Sequence, residues 1–147
     1  PKLTKRRRSE IRKATDSNLK VKYDTSIEDF YELNMLSFKR QKRKAPYDLF
    51  FLQKLHKACQ ENNSSKIISI VDDANNLQAA GYYVFDSERF FYLMGGFDPK
   101  FSLGAMTLCQ LTAIEDARKK QLIFDFEGSM HKGIGEFFGI SVANLPP

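Results

Sequence analysis

The first third of the chain repeats apolar side chains with the period of a helix. Over residues 26–41 they recur every three or four positions, behind Ser26, a residue type that caps helix starts. Asn34 is the polar exception on this apolar face. The same period returns over residues 48–61, after a break at Pro46. The pattern predicts two helices joined by a short loop.

From residue 66 the apolar period shortens towards two, which is typical of half-buried strands. Polar turns separate the apolar stretches, so they predict an antiparallel meander. The predicted strands are 66–71, 77–85 and 89–94. Gly95-Gly96 is expected to end the third strand, with a bulge or a close backbone approach at that point.

The last third predicts a long helix over 103–121, a strand over 122–127 and a short helix near 132–138. A helix between two strands of one sheet is a crossover, and crossovers join parallel strands. Strand 122–127 is therefore expected to pair with the start of strand 89–94. The predicted fold class is α+β (α/β layered), with a mixed, mostly antiparallel sheet flanked by helices.

Positive charge is concentrated at the start of the chain. Residues 1–22 hold nine Lys and Arg side chains against two carboxylates, which gives +7, whereas the whole chain carries +5. The segment predicts a short basic helix over 4–16 and an extended stretch over 19–23. Because basic clusters attract phosphate, residues 1–22 are a candidate site for tRNA or another polyanion. A solvated helix face is the alternative.

Composition disfavours several classes of protein. No run of about 18 apolar residues is present, as a membrane span requires. The two cysteines and two histidines lack zinc-site spacing, and no Gly-x-Ser-x-Gly motif of a serine hydrolase occurs. Cys59 and Cys109 fall in apolar-periodic stretches, and no secretory apolar segment opens the sequence. We therefore expect reduced thiols in a cytoplasmic protein that uses no metal.

Four short motifs follow the predicted order of elements. They are Arg7-Arg8-Ser9-Glu10-Ile11-Arg12-Lys13-Ala14, Tyr92-Leu93-Met94-Gly95-Gly96-Phe97-Asp98, Ser102-Leu103-Gly104-Ala105, and Phe124-Asp125-Phe126-Glu127-Gly128-Ser129 with Gly133-Ile134-Gly135-Glu136-Phe137-Phe138 after it. In this order they resemble the Fem-like and CelD-like branch of the GNAT acyltransferase superfamily, over nearly the whole chain. The resemblance implies that residues 1–23 are a basic interlobe helix and lead-in strand, and that residues 24–147 are the C-terminal GNAT-like acyltransferase lobe.

The same resemblance implies the substrates. The donor would be an acyl-CoA such as acetyl-CoA, with aminoacyl-tRNA as the alternative. The acceptor would be an amine-bearing small molecule, a glycan or a peptidoglycan precursor, in cell-envelope or polysaccharide biosynthesis. A missing N-terminal lobe or a homodimer partner would complete the protein. The loop 100–105 has one glycine where the family has Gln/Arg-x-x-Gly-x-Gly/Ala, so a degenerate lobe that binds RNA, a glycan or a partner lobe is the alternative function.

Candidate site residues lie in two places. Asp125 and Glu127 are two apart on a predicted strand and share one face. A carboxylate in a partly buried cleft can accept the proton of an attacking amine, whereas helix capping and an ion pair are the structural alternative. The start of helix 103–121 favours an anion such as the donor's pyrophosphate, although Ser102 can also be a simple cap. The candidate donor-binding residues are Lys100, Ser102, Leu103, Gly104 and Ala105.

The remaining polar aromatic side chains are interpreted as structural. Tyr82, Tyr83 and Tyr92 fall in predicted strands, where a tyrosine can protonate a leaving thiolate but more often packs in the core. His56 lies on the apolar face of helix 48–61, and His131 follows the predicted strand 122–127.

Overall fold

The computed structural model describes residues 4–6, 8–9, 12, 18–101 and 104–126. Within them the strands form one sheet in the order β1-β2-β3-β4-β5. Strands β1 to β4 pair antiparallel, and β5 pairs with β4 in parallel. The elements in chain order are β1 Lys20–Lys22, α1 Ile27–Arg40, α2 Leu49–Glu61, β2 Ser65–Val71, β3 Leu77–Phe85, β4 Arg89–Phe97, α3 Gly104–Lys119 and β5 Ile123–Phe126.

This architecture confirms the predicted fold class and the parallel pairing of the last strand with the start of β4, where Arg89 lies opposite Ile123. Ser26 caps α1 as expected, since its side chain accepts a hydrogen bond from the backbone N–H of Asp29 at 3.1 Å. Within the predicted basic helix, residues 5, 6, 8, 9 and 12 have helical backbone. The helix predicted near 132–138 lies outside the described residues.

Both faces of the sheet are covered by helices. The α1/α2 layer and the sheet bury Ile27, Phe30, Leu33, Leu52, Ile67, Ala80 and Tyr82. The α3 layer and the sheet bury Ile68, Ile70, Ala79, Tyr83, Phe90, Ala105, Met106, Cys109, Ala113 and Ala117. Because side chains alternate along a strand, the neighbours Tyr82 and Tyr83 enter opposite layers. This double burial explains why β2 and β3 are apolar almost throughout.

Strand β4 is longer than predicted. It continues through Gly95 and Gly96 to Phe97, so the expectation that the glycines end it was wrong. The expected bulge lies earlier: Tyr83 pairs with Tyr92 and Tyr82 with Met94, which leaves Leu93 without a partner in β3. The expected close approach is at Gly96, where an added Cβ would lie 2.9 Å from the carbonyl oxygen of Leu33 in α1. Gly96 therefore allows α1 to lie against the strand, and the strand continues through it.

Tyr82 and Tyr83, the consecutive tyrosines of β3, are structural, as expected. Tyr83 is fully buried, and its hydroxyl donates to Gln110 Oε1 at 3.1 Å. The Tyr82 hydroxyl shares a 2.9 Å hydrogen bond with Nδ1 of the partly exposed His56. Cys109 is buried and Cys59 is partly buried, and both thiols are free.

We predict that Tyr83→Phe lowers the free energy of unfolding by about 1–3 kcal/mol, because Gln110 is left unpaired in a dry core. Tyr82→Phe is the matched control on the neighbouring residue. It should cost less than about 1 kcal/mol, since water can reach His56 in place of the hydroxyl. Urea unfolding of the two variants measures the difference. Equal costs, or a larger cost for Tyr82→Phe, would contradict the structural role assigned to Gln110.

Candidate active site

The described pairs between β5 and β4 involve the first four residues of β4. Their register runs from Arg89–Ile123 to Tyr92–Phe126. Beyond Tyr92, β4 continues to Phe97, and within the described part of the chain this stretch has no strand partner on that side. Backbone N–H and C=O groups along such an edge can hydrogen-bond an extended ligand. We call the stretch from Leu93 to Phe97 the β4 edge.

The bulge lies at the start of the β4 edge. Leu93 is the extra residue, and Leu93 and Met94 both pack against the α1/α2 layer although they are consecutive. A bulge of this kind reorients the backbone groups next to it and is common beside active sites. The last described pair between β4 and β5, Tyr92 with Phe126, lies one residue before it.

A cavity of about 230 Å³ lies between α1 and the β4 edge. Its lining includes Asn34, Ser37, Gln41, Tyr47, Met94 and Gly95. None of its lining residues in the described part of the chain carries a charge. Asn34, Ser37 and Gln41 follow one another at helical spacing, so one face of α1 supplies amide and hydroxyl groups to the cavity.

Tyr47 connects the two walls of this cavity. Its hydroxyl accepts a hydrogen bond from Asn34 Nδ2 at 2.8 Å and donates to the thioether sulfur of Met94 at 3.5 Å. Burial raises the pKa of Tyr47 to about 12. The hydroxyl therefore stays protonated near neutral pH and remains a hydrogen-bond donor.

Sequence reasoning did not select Tyr47. It lies in the loop between two helices, directly after Pro46. The available signal was Asn34, the polar exception on the apolar face of α1. Asn34 is 2% exposed, and a buried amide requires a hydrogen-bonding partner elsewhere in the fold.

The predicted donor-binding residues lie at the junction between β4 and α3. Asp98 forms a tight turn there, because its Oδ1 accepts the backbone N–H of Lys100 at 3.1 Å and its carbonyl accepts that of Phe101 at 3.1 Å. Gly104 and Ala105 open α3 and are buried, whereas the Lys100 side chain is 74% exposed. The Lys100 ammonium lies 3.9 Å from the Asp98 carboxylate. Ser102 and Leu103 lie outside the described residues.

Of the two candidate carboxylates, Asp125 is on β5 and Glu127 lies outside the described residues. Asp125 Oδ2 is 3.4 Å from Arg89 Nη1, and both side chains are about one-third exposed, at 34% and 36%. The structural alternative for this pair included an ion pair with a lysine, and the partner found is an arginine. Phe124, its neighbour, packs against the α3 layer.

The described residues contain no group of three or more His, Cys, Asp or Glu side chains placed to hold a metal ion. No helix among them has the length and apolar character needed to cross a membrane.

Known proteins provide the context for this geometry. The family model described as "Acetyltransferase (GNAT) domain" matches residues 2–136. The crystal structure of FemX is similar with a TM-score of 0.75 and 13% identity, over 94% of this chain and 53% of FemX, so the chain spans about half of that protein. A predicted acetyltransferase with acetyl-CoA from Clostridium acetobutylicum is similar with a TM-score of 0.64 and 9% identity, over 88% of this chain and 94% of that one.

Glucosamine-6-phosphate N-acetyltransferase from Arabidopsis thaliana is also similar, with a TM-score of 0.58 and 10% identity, over 88% of this chain and 95% of that enzyme. No curated protein sequence matches significantly. At these identities the structural similarities establish the fold alone.

Proposed function

The chain belongs to the family of GNAT acetyltransferase domains, and we propose that it transfers an acyl or aminoacyl group from an activated donor to an amine. The match to the family model carries the proposal, and the β4 edge lies between the start of α3 and the α1 cavity. A donor lying along this edge would place its anionic part near the start of α3, where helix N–H groups favour an anion. Lys100, Ser102, Leu103, Gly104 and Ala105 are the residues proposed to bind it.

The proposed reaction is direct attack without a covalent enzyme intermediate. The acceptor amine enters from the α1 cavity and forms a C–N bond with the donor's carbonyl carbon. The C–S bond of a thioester, or the C–O bond of an aminoacyl ester, breaks. The amine proton passes to a carboxylate base, and the leaving thiolate or alkoxide takes up a proton. Glu127 is the proposed base, since Asp125 is already bound to Arg89.

Two donor classes fit this reaction. The match to a domain model for acetyltransferases favours acetyl-CoA. The single glycine in loop 100–105 and the basic residues 1–22 favour aminoacyl-tRNA. The chain spans about half of FemX, so two proposals concern the whole protein. One is that the acceptor is an amine-bearing precursor of the cell envelope or of a polysaccharide. The other is that a second lobe or a second copy completes the site.

The donor is identified by thermal shift with acetyl-CoA and, separately, with charged tRNA. Stabilisation by one of them selects that donor, because a ligand that binds only the folded state raises the melting temperature. For acetyl-CoA we expect Lys100→Ala to weaken binding by about threefold to tenfold through loss of one phosphate contact. Lys119→Ala is the matched control at the opposite end of α3. No response to either donor would reject the enzyme and favour the alternative, a lobe that binds RNA, a glycan or a partner lobe.

A further inference from the structure

The hydroxyl of Tyr47 has a fixed orientation, but the hydrogen bond that it donates is weak. It accepts a hydrogen bond from Asn34 and donates one to the Met94 sulfur, with 3.5 Å between the hydroxyl oxygen and the sulfur. A thioether is a weak acceptor, so the hydroxyl hydrogen would form a stronger bond with a ligand oxygen in the cavity. The ligand oxygen would replace the Met94 sulfur, so the hydroxyl would give up only a weak hydrogen bond.

The surroundings of Tyr47 fix its position before any ligand binds. The Phe38 ring meets it edge-on at a centroid distance of 6.0 Å, and the Phe51 ring lies 6.3 Å away. Asn34, the residue that orients the hydroxyl, is almost fully buried. A hydrogen-bond donor held in this way loses little conformational entropy when a ligand binds, and it selects ligands by the direction of the hydrogen bond.

The character of the cavity limits what the hydroxyl can recognise. Its described lining offers the amides of Asn34 and Gln41 and the hydroxyls of Ser37 and Tyr47, with no charged side chain. A carboxylate or phosphate would lose hydration there without a counter-charge. Neutral hydroxyl groups can both donate to and accept from amides and hydroxyls. The cavity therefore matches a neutral group rich in oxygen.

We propose that Tyr47, positioned by Asn34, is a specificity-determining hydrogen-bond donor that selects an acceptor amine flanked by neutral oxygens, as in an amino sugar, over a plain alkylamine. The inference rests on the proposed function, because it takes the α1 cavity as the acceptor side of the acyl transfer.

The test compares glucosamine with cyclohexylamine. Dissociation constants are measured by NMR titration of the wild type, Tyr47→Phe and the control Tyr23→Phe, whose hydroxyl bonds Asp116 outside the cavity. Each amine is compared with itself across the variants, which removes the difference in basicity between the two. We expect Tyr47→Phe to weaken glucosamine binding by about fivefold to thirtyfold and to change cyclohexylamine binding by less than about twofold. Tyr23→Phe should change neither.

Equal changes for both amines, or no change for glucosamine, would overturn the inference. If Tyr47→Phe unfolds because Asn34 is left unpaired, the double variant Asn34→Leu/Tyr47→Phe is compared with Asn34→Leu, so that the two proteins differ only in the Tyr47 hydroxyl. Release of free thiol from acetyl-CoA, measured in parallel, separates the two proposals. Tyr47-dependent glucosamine binding without transfer rejects the acetyl-CoA reaction and keeps the inference. Transfer to glucosamine that is unaffected by Tyr47→Phe rejects the inference and keeps the reaction.

Discussion

Replacing Glu127 by Gln is expected to lower turnover by roughly tenfold to a thousandfold with little change in stability, the range that loss of a general base gives. The amide has the shape of the carboxylate but cannot accept the amine proton. Turnover is measured with whichever donor the thermal shift identifies, together with the pH dependence of the rate. If Glu127 is the base, the acidic limb of the wild-type profile should disappear in Glu127→Gln.

Asp125→Asn is the matched control for this prediction. A partly exposed ion pair such as Asp125–Arg89, with 3.4 Å between its charged atoms, stabilises a protein by only about 0–1 kcal/mol, so the melting temperature should change little. Turnover should also stay within a few-fold, unless Asp125 orients the reacting groups. Normal turnover in Glu127→Gln would contradict the assignment of Glu127 as the base. The proton acceptor would then be a water molecule, or the amine would react in its free form without a protein base.

The helices could be predicted from periodicity because one face of α1 and one face of α2 pack on the sheet. The strands could be predicted because burial on both faces makes them short apolar runs between polar turns. The end of β4 could not. A Gly-Gly pair indicates a break when only the local chain is considered, since glycine weakens a strand. Here Gly96 is required because the backbone of α1 lies against it, and Leu33 and Ser37 are about sixty residues earlier in the sequence. The rule that glycine weakens a strand failed here because a tertiary contact with α1 requires glycine at this position.

The candidate site divides in the same way. The order of elements predicted that the last strand would pair in parallel with the start of β4, and the structure confirms that pairing. Tyr47 could not be selected, because its role depends on Asn34 in the preceding helix and Met94 in a distant strand. Asn34 alone was visible as an anomaly. A polar residue that interrupts an apolar helix face is therefore a better guide to this cavity than any motif in the chain.

Gly96→Ala is expected to lower the free energy of unfolding by about 1–3 kcal/mol, the usual cost of forcing one methyl group into a packed interior. Its Cβ would lie 2.8 Å from Ser37 Oγ and 2.9 Å from the Leu33 carbonyl oxygen. A side chain can rotate away from such a contact, but a helix carbonyl cannot. Helix α1 must therefore move from β4, which also deforms the cavity that α1 lines. Urea unfolding measures the first effect, and NMR titration with glucosamine measures the second.

The contact with Ser37 and the contact with Leu33 can be separated by a double variant. Ser37→Ala removes the hydroxyl that the new methyl group meets, but it leaves the carbonyl in place. Gly96→Ala/Ser37→Ala should therefore recover only part of the stability that Gly96→Ala loses, with a coupling free energy of about 0.5–1 kcal/mol. Full recovery would mean that the hydroxyl alone was in the way. An unchanged unfolding midpoint in Gly96→Ala would mean that α1 does not lie against β4 as closely as 2.9 Å, and the cavity between them would have a different shape.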